Sequence, residues 1–204
     1  MKSPVIKQLS LLLVFVFPIF FASAPVSAEP VEESARPDVY LDEISFGTGY
    51  AWGSVKDWPD DMSVYPAFVR FGFNANGLFG IQGNRGTLQF TLEPFVNAVS
   101  GREDGIEAGC GLGVRYLHQV ARPLDLYLEA SAAPMYYSID TIELGSAGFN
   151  FLDQFGAGLR YRFARDKALF AGYRWRHISN AGLVDRSNDG INTDALVVGL
   201  SLLY

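Results

Sequence analysis

Tyr173-Arg174-Trp175-Arg176-His177-Ile178-Ser179-Asn180-Ala181-Gly182, with Asn188-Asp189-Gly190-Ile191-Asn192 shortly after it, decides the fold. Read with the period of two that a strand imposes, its odd positions are Tyr173, Trp175, His177 and Ser179. Its even positions carry Arg174 and Arg176. An aromatic face thus ends in a histidine and a serine, while two arginines occupy the opposite face. In a soluble sheet this pattern is inverted, because the arginines belong to the wet side and the His/Ser face to the core. In a transmembrane barrel it is consistent: arginines in the lumen, aromatics toward lipid, and His177 and Ser179 at the lipid boundary.

The same alternation recurs outward from this stretch. Tyr40, Ile44, Phe46, Tyr50 and Trp52 share a parity; so do Tyr65, Ala67, Val69, Phe71 and Phe73, and then Leu88, Phe90, Leu92, Pro94 and Val96. Further apolar faces follow at 106–116, 124–132 and 149–163, and the last runs from Ile191 to Tyr204. Lys56 to Ser63 reads as an exposed loop, and the Gly- and Asn-rich run 74–86, Ser100 to Asp104, Arg122-Pro123 and Ala164 to Lys167 read as turns. The total is eight segments, an even number and the size at which side chains just fill a barrel. The expected fold is therefore all-β, an eight-stranded antiparallel transmembrane β-barrel of the outer membrane. Glu93, Glu107 and Glu129 against Arg70, Arg115, Arg160, Arg162, Arg174 and Arg176 would fill the lumen with a mutually neutralising network, a plug and not a pore. A soluble β-sandwich would have to bury those charges or expose eight aromatic-rich faces.

Composition and the N-terminus agree. Lys2 and Lys7, the apolar run Leu11 to Phe21 and the small-residue site Val26-Ser27-Ala28 read as a cleaved signal peptide over 1–28. Residues 29–37 read as a flexible leader and 38–204 as the barrel domain, which places the chain in the outer membrane of a Gram-negative bacterium. The aromatic content of 14% and 21 glycines suit amphipathic strands. A net charge of -6 speaks against nucleic acid as a partner. Cys110 stands alone, so no disulfide forms within the chain. With only His118 and His177 present and no clustered ligands, neither a metal nor a cofactor is expected. The oligomeric state stays open, a homodimer among the options.

With both termini periplasmic, the loop after Ser179 lies at the cell surface, and His177 and Ser179 share a face near the outer leaflet. Their spacing lets an imidazole serve a hydroxyl, the relation of a base to its nucleophile. Polar residues at a barrel rim also occur with no chemistry. The segment His177-x-Ser179-Asn180-Ala181-Gly182, then Asn188-x-Gly190 and a residue two further on, resembles the signature of the PagL-type lipid A 3-O-deacylases, the acyloxyacyl hydrolase family. Gly86-Thr-Leu-x-Phe-x-Leu-Glu93-Pro-Phe, Gly111-Leu-Gly-Val-Arg115-Tyr and Phe149-Asn-Phe-x-Asp153-Gln extend the resemblance over most of the mature chain. It implies an eight-stranded barrel with a lipid-facing Ser/His/acid triad that removes the 3-O-linked acyl chain from lipid A. Ser179 would be the nucleophile and His177 the general base, with lipopolysaccharide of the outer leaflet as substrate and partner.

The chain departs from that pattern where the family has a glutamate, because Asn192 stands two residues after Gly190. Asparagine accepts a hydrogen bond from the ring but lacks the charge that stabilises an imidazolium. Asp194 shares the parity of Asn192. Asp153 faces lipid on the sixth segment and falls opposite His177 or Ser179 if the intervening turn centres on Arg165 or Asp166. The acid is therefore left between Asn192, Asp194 and Asp153. Oxyanion donors are sought in Asn180, Asn188 and the backbone around Gly182, residues that equally suit the turn itself. Loss of the acid at Asn192 leaves a second function open, a non-catalytic structural or adhesion barrel.

Overall fold

The computed structural model describes residues 37–56, 58–82 and 85–204. The signal segment and all of the expected leader but Pro37 lie outside the described residues. Nine antiparallel strands follow: β1 Tyr40–Gly53, β2 Met62–Tyr65, β3 Ala67–Asn74, β4 Gly86–Ser100, β5 Gly105–Ala121, β6 Leu124–Tyr137, β7 Gly148–Arg162, β8 Lys167–Ser179 and β9 Ile191–Leu203. They form one continuous hydrogen-bonded sheet, and β1 pairs with β9 to close the ring. No edge is left for uncontrolled pairing. Among the described residues no helix is long and apolar enough to cross a membrane.

The ninth strand is a break within the expected second one. Both β2 and β3 lie between β1 and β4, and the split falls at Pro66. Proline has no N–H to give the ladder. Side chains take over there: Thr48 Oγ1 donates to the Pro66 carbonyl at 2.8 Å, and Asn97 Oδ1 accepts from the Ala67 N–H at 3.3 Å. Eight staves result from nine strands.

Outward positions keep the apolar parity. Phe46, Leu112, Phe155, Leu196 and Val198 are each at least half exposed, as expected of side chains that meet lipid. The lumen holds five buried or nearly buried acids, Glu43, Glu93, Glu107, Asp125 and Glu129, against the arginines 70, 115, 160, 174 and 176. Arg174 binds Glu93 and Glu129, each at 2.7 Å; Arg115 and Arg160 bind Glu43 at 3.1 and 2.6 Å; Arg176 binds Glu107. Glu43 also accepts from Ser45 and Ser201 at 2.7 Å. Guanidinium faces not covered by carboxylates lie over rings, Arg115 at 4.0 Å from the Tyr127 centroid and Arg174 at 4.7 Å from that of Phe68, which offsets part of the desolvation. Tyr127 reaches inward because Gly158 and Gly172 make room: a Cβ on either would lie within 2.4 Å of its hydroxyl oxygen. A central cavity of about 10 Å³ has room for about one water. The lumen is plugged.

Toward the loop-bearing end the filling changes from ionic to apolar. Val55, Met62, Val99, Met135, Tyr137, Ile139 and Leu144 form part of one buried cluster, with Trp58 packed on it. The stretch from Lys56 to Ser63, expected to be an exposed loop, thus brings Trp58 and Met62 over the barrel mouth beside Val55. β6 also runs five residues beyond its expected apolar face, because Met135 and Tyr137 belong to this cap. The loops at 138–147 and 180–190 share this end, while 122–123 and 163–166 are tight turns at the other, the asymmetry of outer-membrane barrels. The connection 75–85 is the exception. Asn76 organises it by donating to the Gly86 carbonyl and accepting from the Leu88 N–H, both at 2.8 Å.

Candidate active site

His177 and Ser179 stand at the outer end of β8 on its lipid-facing side, both half-buried, between the buried Arg176 and Ile178. Ten strand steps separate Lys167 from His177. At about 3.3 Å per residue and a tilt of about 40°, they raise the imidazole roughly 25 Å above the tight turn, the height of an apolar belt. The pair therefore meets the membrane at its headgroup boundary.

Three contacts hold the ring. Asn192, its direct partner on β9, places Oδ1 2.7 Å from His177 Nδ1. Trp175 stacks against it from one strand repeat below, with centroids 5.8 Å apart and planes 11° apart. Gly190 closes the remaining edge: a Cβ there would lie 2.5 Å from Cε1 and 3.1 Å from Nε2, and its φ of 78° is one that glycine tolerates. The Nδ1 contact has a chemical consequence. Asn192 Oδ1 accepts from Nδ1–H, so in the neutral ring the free lone pair is on Nε2. Among the described residues the Ser179 hydroxyl has no hydrogen-bond partner.

The two aspartates differ in position. The β7–β8 register sets Asp153 directly opposite His177 and Phe151 opposite Ser179, the pairing that a turn centred on Arg165 requires. Asp194 pairs with Trp175, one repeat lower, and its carboxylate accepts the Tyr173 hydroxyl. Asn192 and Asp153 thus flank the imidazole, and Asp194 is engaged elsewhere.

The expected oxyanion residues lie together in the loop after β8. Asn180 is fully buried, and both ends of its amide are used: Oδ1 accepts from Gly182 N–H at 2.9 Å and Nδ2 donates to the Ser187 carbonyl at 2.9 Å. Its backbone N–H donates to Asn188 Oδ1 at 2.7 Å. Asn180 therefore shapes the loop, with Ala181 and Gly182 at φ 53° and 71° completing the turn. Asn188 is exposed and pinned by its oxygen.

The family model for PagL, the lipid A 3-O-deacylase, matches residues 44–201. The chain belongs to this family. Two solved structures of outer-membrane barrels resemble it. The outer membrane enzyme PagL matches with a TM-score of 0.57 at 20% identity, over 77% of this chain and 97% of that one. Neisserial surface protein A (NspA) matches at 0.56 and 16%, over 82% and 98%. At these identities the two structures speak for the barrel fold. No curated protein sequence matches the chain. A PagL-family barrel with this lipid-facing belt is a protein of the Gram-negative outer membrane.

Two contributors to this site in the PagL-family chain escape the sequence pattern. Gly190 is there only a motif position; its packing against the ring depends on the path of the 180–190 loop. Arg186 reads as the loop cation nearest the site, but it donates instead to the carbonyls of Ser146 and Phe149 and to Asn150 Oδ1. Together with the Asp189 N–H on the Glu143 carbonyl at 2.9 Å and the Lys56–Asp189 ion pair at 2.7 Å, it ties the site loop to its neighbours. Among the described residues no cluster of three metal-ligating side chains occurs. His118 lies near the far end of β5, 3.3 Å from the Tyr116 hydroxyl.

Proposed function

We propose that this chain is a serine esterase that removes the 3-O-linked acyl chain of lipid A at the outer leaflet. The reading rests on the Asn192 Oδ1–His177 Nδ1 contact of 2.7 Å, on the lipid face two residues from Ser179. It orients the base and frees Nε2 to take the Ser179 proton. Ser179 Oγ then bonds to the ester carbonyl carbon while the proton passes to Nε2. The bond between the carbonyl carbon and the sugar's 3-oxygen then breaks, and that oxygen takes the proton from Nε2 and leaves as the 3-hydroxyl. Water repeats the sequence on the acyl-enzyme, giving a free fatty acid and restoring Ser179. The developing oxyanion is received by Asn188 Nδ2, whose amide is held by the Asn180 N–H, and by backbone N–H groups near Gly182. Acyl chains lie against Trp175 and Tyr173, both exposed to lipid, so the substrate reaches Ser179 laterally and never leaves the bilayer.

One observation favours the competing reading, a barrel without catalysis: Asn192 is neutral where the family pattern has an acid. A single experiment separates the two. Lipid A is analysed by mass spectrometry from cells producing the wild-type chain or Ser179→Ala. The esterase reading expects loss of one 3-linked hydroxyacyl chain with the wild type and a fall in activity of at least about a thousandfold in the variant. Unaltered lipid A in both strains would support the non-catalytic barrel.

A further inference from the structure

We infer that Asp153 is a positioning residue that supplies the charge Asn192 lacks, so that two strands share the work of one triad acid. The inference rests on the esterase reading of Ser179 and His177. The β7–β8 and β8–β9 registers put Asp153 and Asn192 on either side of His177, each in direct pairing with it. Direct pairs have Cβ atoms about 5 Å apart. Asn192 holds Nδ1 and thereby the tautomer, as the oxygen of an acid does. It carries no charge to offset the imidazolium that forms when Ser179 gives up its proton. Asp153 stands one cross-strand spacing away, within electrostatic reach of the ring.

The surroundings of Asp153 offer it no other partner. It is exposed on the lipid face of β7, between Phe151 and Phe155 of the same parity, and pairs with Ala132 on β6. A carboxylate there is unfavourable. Among the described residues it makes no ion pair or hydrogen bond; the nearby arginines, Arg174 and Arg176, are buried in the lumen with Glu93, Glu129 and Glu107. The other acids near the ring are taken: Asp194 accepts from Tyr173, and Asp189 pairs with Lys56. His177 is the group on this face that becomes a cation during the reaction, and Asp153 is the acid free to meet it.

The test uses purified, detergent-folded full-length protein and hexa-acylated lipid A in mixed micelles, with release of 3-hydroxy fatty acid as the readout. Asp153→Asn removes the charge at constant shape. It is expected to lower kcat on the order of tenfold with little change in KM, since an opposite charge at this spacing is worth about one such factor or more. The variant should be at least as resistant to unfolding as the wild type, because a charge leaves the lipid face. Asn192→Glu restores the acid beside Nδ1, and in that background Asp153→Asn should cost less than about threefold. An unchanged kcat for Asp153→Asn, or an equal loss in both backgrounds, overturns the inference while leaving the esterase reading in place. A wild-type protein that releases no fatty acid overturns both.

Discussion

The two faces of β8 differ in nearly every physical respect, although their residues alternate along thirteen positions of one strand. On the lumen side Arg174, Arg176 and Ile178 are buried, and both arginines are bound by carboxylates from strands across the barrel. On the lipid side Tyr173, Trp175, His177 and Ser179 are exposed or half-exposed, and their contacts come from adjacent strands and one loop. The lumen face joins distant parts of the chain, so it holds the barrel together. The lipid face carries a site whose parts all come from β7, β8, β9 and the connecting loop. The pleat thereby separates the stabilising lumen network from the proposed site, and a step of one residue in either direction moves from one to the other.

The largest effect that tests this separation is on the lumen side. Arg174→Met keeps much of the side-chain volume but leaves Glu93 with Arg70 alone, at 2.8 Å, and Glu129 with Arg70 and Arg115 at 3.4 and 3.7 Å. Removing one partner of a buried network typically destabilises by about 3–5 kcal/mol. Urea unfolding in lipid vesicles should show a loss of that size, while activity per folded molecule remains at the wild-type level. A stable but inactive Arg174→Met protein would break the comparison, because the lumen would then act directly on the chemistry.

Gly190→Ala is the next in size and acts on the other side. Its Cβ would lie 2.5 Å from His177 Cε1, and the φ of 78° is unfavourable for alanine. The ring cannot withdraw without leaving Asn192 or the stack on Trp175. Displacing a catalytic group by about 1 Å costs roughly a hundredfold in rate. Steady-state kinetics should show that loss in kcat, with unfolding shifted by only about 1–2 kcal/mol, the backbone penalty. An active Gly190→Ala enzyme would show that the loop gives way and that the ring is held from β9 alone.

The separation of faces is legible in the sequence because it depends on parity. Period two assigns every residue of a barrel strand to lipid or lumen, and the tight turn at 163–166 fixes one hairpin register well enough to set Asp153 opposite His177. Parity fails where the chain is irregular. Glu43 escapes the expected lumen network although Arg115, Arg160, Ser45 and Ser201 all converge on it. Asp42 interrupts the pattern beside it, and the β1–β3 register shifts between Leu41 and Glu43. Pro66 reads as ordinary strand, since the apolar alternation runs straight through it. The cap formed by Val55, Trp58 and Met62 is hidden by the prolines and aspartates around it. Nor can the roles of Arg186 and Asn180 be read from spacing, since contacts between loops have no period and depend on where each loop crosses its neighbour.

The smallest effect expected is at Asp194, and it sharpens the comparison on the lipid face itself. Asp194 shares the parity of Asn192, and from the sequence it is as good a candidate acid as Asp153. The register sets it one repeat too low: its partner is Trp175, and the indole stacked beneath His177 stands at the level where the carboxylate would have to rise. It accepts instead from Tyr173, two residues further down β8. Asp194→Asn preserves an acceptor for that hydroxyl and removes a charge from apolar surroundings. Activity should therefore stay within about twofold of the wild type, and the barrel should unfold no more readily. Paired with Asp153→Asn in the same kinetic assay, it asks whether two aspartates on one lipid-facing surface differ through register alone. A loss at Asp194 as large as that at Asp153 would mean that the charge acts across the surface as a whole, and the assignment of one acid to one cross-strand position would fail.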